Sequence, residues 1–194
     1  LSYGFVEPDS VIDQAYLNNG VNGLGEQEID LEELCLRIAK LPLAFEPGTS
    51  WRYSFATDVC ARLVEVLSGL SFDVFLRQRI FEPLGMVDTD FWVPEEKAHR
   101  LITMYSPEDL FDPMKPGLNQ AGDVITGPYT AKPTMLSGGG GLVSTVADYS
   151  AFLRMIVNAG EWAGVRLLKP ETLQSMRSNH LAAGVQVAFP MWAM

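Results

Sequence analysis

From Asp30 onward, apolar residues recur with the period of a helix: Leu31, Leu34, Cys35, Ile38 and Ala39 share one face. Asp30 stands where an N-cap belongs, Glu33 follows three residues later as in a capping box, and Pro42 ends the run. Ile29 and Leu34 have the spacing of a hydrophobic staple. A second helix is predicted just after Ser54, with Ala56, Val59, Cys60, Leu63, Val64 and Leu67 as its apolar face. Asp58 lies in its first turn, at the positive end of the helix dipole, and Gly69 sits where a C-terminal cap belongs. A third helix starts at Ser71, turns Phe72, Phe75, Leu76 and Ile80 inward, and stops before Pro83. Thr145 caps a fourth, with Asp148 three residues on, a shared apolar face of Tyr149, Phe152, Leu153, Ile156 and Val157, and Gly160 at its end. Residues 161–168 read as a short extended or hairpin segment, and Pro170, Leu173 and Met176 as a short fifth helix.

The rest lacks periodicity. Residues 1–29 are irregular, with one helical possibility near Ser10–Leu17, and residues 43–55 form a connector with Pro47-Gly48 as its turn. Residues 94–143 carry Pro94, Pro107, Pro113, Pro116, Pro128 and Pro133 together with Gly117, Gly122, Gly127 and the run Gly138–Gly141. Such a stretch predicts a wandering surface segment with short strands at most. The expected architecture is mainly α with a few short strands, in a single region over 1–194. Helices around Tyr53-Ser54 fill 1–93, a long Pro/Gly-rich connector fills 94–143, and C-terminal helices fill 144–194.

Composition narrows the function classes. Fourteen Lys and Arg against 24 Asp and Glu give a net charge of −10. Nucleic-acid binding depends on neutralising phosphates with cations, so the chain is not expected to bind nucleic acid. The 47% apolar and 20% charged fractions are those of a globular domain. No apolar run approaches the ~18 residues of a membrane span. Cys35 and Cys60 are too few for a disulfide framework or a zinc cluster, and both are expected to be buried and inert on apolar helical faces. His99, in a charged context, reads as a surface residue; His180 reads as a cap on helix-end carbonyls.

Motif searches mostly return absences. There is no G-x-S-x-G elbow, and Gly138–Gly141 is not followed by the lysine of a phosphate-binding loop. The glycine run reads first as a tight backbone crossing or hinge. Asp109 and Asp112 have a spacing open to acid–base chemistry, but solvated loop acids are far commoner. Taken alone, Tyr53, just ahead of a helix start, reads as a packing residue.

The order of segments adds to this. Pro47-Gly48-Thr49, then Tyr53-Ser54, then a helix ending Glu65-Val66-Leu67-Ser68-Gly69, resembles the serine β-lactamase-related family of the class C type, which includes penicillin-binding DD-peptidases and esterases. Ile80-Phe81-Glu82-Pro83-Leu84-Gly85-Met86 with Asp88-Thr89, then Gly138-Gly139-Gly140-Gly141-Leu142-Val143-Ser144-Thr145 with Asp148, and finally Leu167-Leu168 and Ser178-Asn179-His180-Leu181 extend the match over nearly the whole chain. The likeness is nearest to the esterase-like branch.

The resemblance implies the helical domain of the β-lactamase/transpeptidase-like α/β fold, lacking most of the central sheet. It also implies chemistry built on three elements: an S-x-x-K serine and lysine on one helix face, a Tyr-x-Asn-like segment, and a late K-T-G or His-x-Gly strand lining the oxyanion hole. Only the second has a counterpart, Tyr53, whose implied role is general base for the serine. A phenol titrates near ~10, so a tyrosine base relies on the field of the family's lysine. No serine here stands three residues before a lysine, and Ile125-Thr126-Gly127 lacks the lysine of K-T-G and precedes the glycine run. The sequence therefore reads as the middle of a longer enzyme, inactive alone.

Where the β-lactamase pattern has Asn, this chain has Phe55, which favours a simple ester over an acyl-amide substrate; core packing is an equal alternative. Trp51 is expected to be a wall or packing residue. The resemblance implies a small ester or amide substrate and no metal or organic cofactor. A β-lactamase or DD-peptidase parent, or a non-catalytic binding or scaffolding module, are the alternatives. Faces normally covered by the rest of the enzyme would be exposed, so the isolated chain is expected to self-associate.

Overall fold

A computed structural model describes residues 1–4, 9–23, 28–108, 114–120 and 129–187. The Asp109/Asp112 pair, Ile125-Thr126-Gly127 and the apolar C-terminal tail from 188 lie outside the described residues. Among the described residues seven α-helical stretches carry the fold: α1 (Val11–Asn18), α2 (Leu31–Ile38), α3 (Ala56–Ser68), α4 (Phe72–Leu76), α5 (Glu82–Leu84), α6 (Val146–Val157) and α7 (Pro170–Met176). Strands among the described residues are confined to two antiparallel pairs. β1 (Tyr105–Pro107) pairs with β2 (Leu118–Gln120), and β3 (Glu161–Trp162) pairs with β4 (Val165–Arg166). The chain is mainly α, as the periodicity implied, and the hairpin expected within 161–168 is present.

The helix starts follow the sequence. Asp30 accepts the Glu33 N–H at 2.9 Å and Thr145 accepts the Asp148 N–H at 3.2 Å. Glu33 does not complete a capping box; it turns along the helix to Arg37 at 2.7 Å. Ser10 caps α1 through the Asp13 N–H at 3.1 Å. Gly69 ends α3 in the left-handed region (φ +71°), where a side chain would be strained.

Three expectations need correction. The helix from Phe72 does not stop before Pro83. It widens into a π-turn at Arg77–Phe81 and resumes as α5 with Pro83 in its first turn. The π-turn pairs the Glu82 N–H with Arg77 O, and a ring without an N–H is tolerated in the first turn that follows. The inner face of α3 is not the predicted one: Phe55, Asp58 and Ala61 are buried, while Leu63, Val66 and Leu67 are exposed and so is Cys60. On α6, Asp148 and Met155 are buried with Phe152 and Ile156 packed beside Met155. Tyr149, Leu153 and Val157 face out. Periodicity located both apolar stripes correctly but not what covers them. Each helix is instead rolled so that a buried carboxylate reaches its partners.

The helices surround two cores. α1, α2, α3 and residues 135–136 enclose Tyr16, Val21, Leu34, Phe55, Phe91 and Leu136. α5 and α6 enclose Phe81, Leu84, Met86 and Met155. Leu76 touches both.

Candidate active site

Residues 51–55 lead into α3 and carry the three positions singled out in the sequence. Tyr53 is half-buried. Its ring lies against Tyr3, with centroids 4.8 Å apart and planes tilted by 47°. Tyr3 also contacts Phe55, at 4.5 Å. Phe55 is 1% exposed, so of the two roles open to it the structure gives it core packing, and its contact is with Tyr3. Trp51 is half-buried at the start of the segment.

The segment is fixed from α1. Arg52 sends its guanidinium to Asp13, 2.9 Å away and fully buried, and to Ser10 Oγ at 3.3 Å. The Ser2 hydroxyl donates to the same Asp13 oxygen. The Phe55 N–H reaches Ser2 O at 3.5 Å, which sets residues 1–4 alongside residues 53–55. Burial of an ion pair without further donors is costly, and here the Ser2 hydroxyl supplies one.

A second anchor lies one turn into α3. The fully buried Asp58 accepts the Ser137 hydroxyl at 2.5 Å and the Gly139 N–H at 3.4 Å. This seats the glycine run on the N-terminal turn of α3. A Cβ at Gly138 would come within 2.3 Å of Thr57 O, and one at Gly139 within 2.7 Å of the Tyr3 hydroxyl. The tight-crossing reading of the glycine run therefore holds at Gly138 and Gly139. Tyr3 hydrogen-bonds the Thr57 side chain. Burial, reinforced by the Asp58 charge and opposed by that hydrogen bond, pushes its phenol up to about 12.

Sequence reasoning singled out Tyr53 as a candidate and did not single out Tyr3, Asp13 or the bridging role of Asp58. A carboxylate in a first helical turn could have flagged both acids, because the helix N-terminus offsets part of the cost of burying the charge.

A cavity of about 590 Å³ lies elsewhere, between residues 77–101 and 143–145. Its cations are all engaged: Arg77 with Asp90 at 2.7 Å, and Lys97 and Arg100 with Asp88 at 2.6 and 2.8 Å. The two cations hold the Asp88 carboxyl down at about 2, mainly through their hydrogen bonds. Thr89 and the Asp88 N–H are taken up by Asp148, at 2.9 and 2.7 Å. This is a charge-balanced structural network. Among the described residues no group of three or more His, Cys, Asp or Glu side chains could hold a metal. His99 is exposed, and His180 donates to Ser175 O at 2.7 Å, capping α7 as expected. No helix among the described residues is long and apolar enough to cross a membrane.

Comparison with known proteins gives a consistent result. The family model described as "Beta-lactamase" matches residues 3–191. Lovastatin esterase of Penicillium rubens is 32% identical over 184 residues, covering 93% of this chain and 41% of that protein. Esterase EstB of Burkholderia gladioli is 26% identical, covering 99% and 49%. Among solved structures, EstCE1, described as a hydrolase with promiscuous acyltransferase activity, superposes with a TM-score of 0.76 at 22% identity, covering 99% of this chain and 52% of its own. The chain thus spans about half the length of these relatives or less.

Proposed function

The chain belongs to the β-lactamase family of serine hydrolases, and from that premise we propose that it is part of an enzyme cleaving carboxylic esters through a serine acyl-enzyme. Its fold is β-lactamase/transpeptidase-like, mostly helical over these residues. The observation that carries the reading is Tyr53, on the segment entering α3 and packed on a ring that is itself anchored to α3 and the glycine run. In this role the Tyr53 phenolate accepts the serine hydroxyl proton as the serine oxygen attacks the ester carbonyl. The proton then passes to the departing alkoxide. Water repeats the cycle to free the acid and the serine.

The nucleophile comes from outside these 194 residues, since no serine here precedes a lysine by three. The chain alone is then inactive. Phe55 favours an ester over an acyl-amide substrate only by what it lacks, an amide group where the β-lactamase pattern has one; its ring packs in the core. Trp51, half-buried two residues before Tyr53, forms part of the wall. The exposed α3 and α6 stripes favour self-association of the isolated chain, which light scattering at micromolar concentration reads directly; a clean monomer counts against it.

The test is hydrolysis of a short-chain p-nitrophenyl ester by the 194-residue chain and by Tyr53→Phe. No turnover by either is expected, with activity appearing when the nucleophile-bearing residues are supplied. Turnover by the chain that Tyr53→Phe abolishes would put the nucleophile inside it and overturn this account. A parent sequence without an upstream S-x-x-K would point instead to a binding module.

A further inference from the structure

We infer that Tyr3 is a positioning residue for Tyr53, its clamped ring setting the orientation in which the Tyr53 phenol meets the reacting hydroxyl. The inference rests on the reading of Tyr53 as the base and deepens it.

Tyr3 is 8% exposed and is held on several sides. One contact is Tyr53, at 4.8 Å; another is the buried Phe55, at 4.5 Å. Its hydroxyl is tied to Thr57 in the first turn of α3, under the backbone of Gly139. Gly139 is required there, because a Cβ would come within 2.7 Å of the Tyr3 hydroxyl and 3.2 Å of Asp58 Oδ2. Tyr3 therefore joins three parts of the chain, the N-terminal residues, the start of α3 and the glycine run, at the ring that Tyr53 leans on. Tilted aromatic pairs at this separation have a preferred geometry. Tyr3 does not itself take the proton: burial and the Asp58 charge hold its phenol at about 12, so it stays neutral where ester hydrolysis is measured. What it supplies is orientation, to which proton transfer is steeply sensitive; a misplacement of about 1 Å can cost about 100-fold.

The experiment labels the tyrosine rings of the full chain with 13C and follows Tyr53 by NMR, its signal identified by its loss in Tyr53→Phe. Tyr3→Leu is expected to shift the Tyr53 ring resonances and average them through fast ring flips, with Tyr149 on α6 unmoved. Tyr3→Phe keeps the ring contact but drops the anchor, and is expected to give an intermediate shift. In the complete hydrolase, Tyr3→Leu is expected to lower kcat about tenfold with KM within about twofold, and Tyr3→Phe to recover most of the loss. Unchanged Tyr53 resonances in folded Tyr3→Leu overturn the inference, as does a raised KM at constant kcat. If Tyr3→Leu does not fold, Tyr3→Phe decides, and a Tyr53 signal identical to wild type overturns it. Full activity in Tyr53→Phe overturns the proposed function instead, whatever the NMR contact shows.

Discussion

Neighbouring glycines in one run are expected to respond very differently to the same methyl group. At Gly138 an added Cβ would lie 2.3 Å from Thr57 O and 2.8 Å from the Ala61 Cβ. An ordinary carbon–oxygen contact is roughly 3.3 Å. The loop must therefore lift from α3 by about 1 Å. Asp58 is held at 2.5 Å by Ser137 and 3.4 Å by the Gly139 N–H, and a lift of that size takes both beyond hydrogen-bonding range. Overpacking of a close contact costs about 1–3 kcal/mol, and a buried acceptor losing its donors a further 1–3 or so. Gly138→Ala is thus expected to lose about 2–6 kcal/mol. Gly140 has no atom within 4 Å of its notional Cβ and lies outside the left-handed region, so Gly140→Ala should stay within about 0.5 kcal/mol of wild type. Urea denaturation followed by tryptophan fluorescence and far-UV circular dichroism measures both. Equal stabilities for the two variants would refute the crossing as a constraint on the fold.

Further outcomes follow from the charged groups. Arg52→Met leaves Asp13 fully buried without its cation and should cost about 3–5 kcal/mol in the same assay; a loss under about 1 kcal/mol would contradict the ion pair's structural role. Asp88 should titrate at about 2 by carboxyl NMR. Its folded value lies below the unfolded one, so its stabilising contribution is present above pH 4 or so and fades as pH falls toward 2; Lys97→Met should move the titration upward. Tyr3 works in the opposite sense: its raised value favours folding below about pH 10 and that contribution is lost as pH rises through about 12. Alkaline destabilisation of about 1–2 kcal/mol, after allowance for solvent screening, should shrink in Tyr3→Phe; equal alkaline loss in both proteins would contradict it.

Local rules made the helix starts and the second hairpin legible. Asp30 and Thr145 cap as their spacing implied, and Gly69 ends α3 because only local backbone conformation decides these positions. The faces were not legible in the same way. Leu63 and Leu67 on α3, and Leu153 and Val157 on α6, belong to genuine apolar stripes that nothing among the described residues covers. Periodicity detects a stripe, but burial depends on a partner at any distance along the sequence. Tyr53 became a candidate through the order of family motifs alone, since an isolated tyrosine before a helix carries no signal. Tyr3 was invisible because its significance is a contact across 50 positions with a residue of the same type. Pro83 misled because the π-turn that accommodates it leaves no mark in hydrophobic spacing.

The buried acids explain how so much of the fold is set by long-range contacts despite its uncovered faces. Asp13, Asp58, Asp73 and Asp148 are all buried, and each lies in the first turn of its helix. Each bridges to a distant segment: Asp13 to Arg52, Asp58 to Ser137, Asp73 to Lys132 and Asp148 to Thr89, across 39 to 79 positions. A carboxylate is costly to bury in a helix interior. At the N-terminal turn the unpaired backbone N–H groups and the helix dipole offset part of that cost. The distant donor then decides which way the helix faces, since an apolar residue can be covered by many neighbours but a buried carboxylate only by a specific donor. On α3 this selection turns Asp58 inward to Ser137 and Gly139, and turns Leu63 and Leu67 outward. The same roll brings the start of α3 under the glycine run and against Tyr3, so the anchor that defeats the apolar pattern is the one that supports the ring beneath Tyr53.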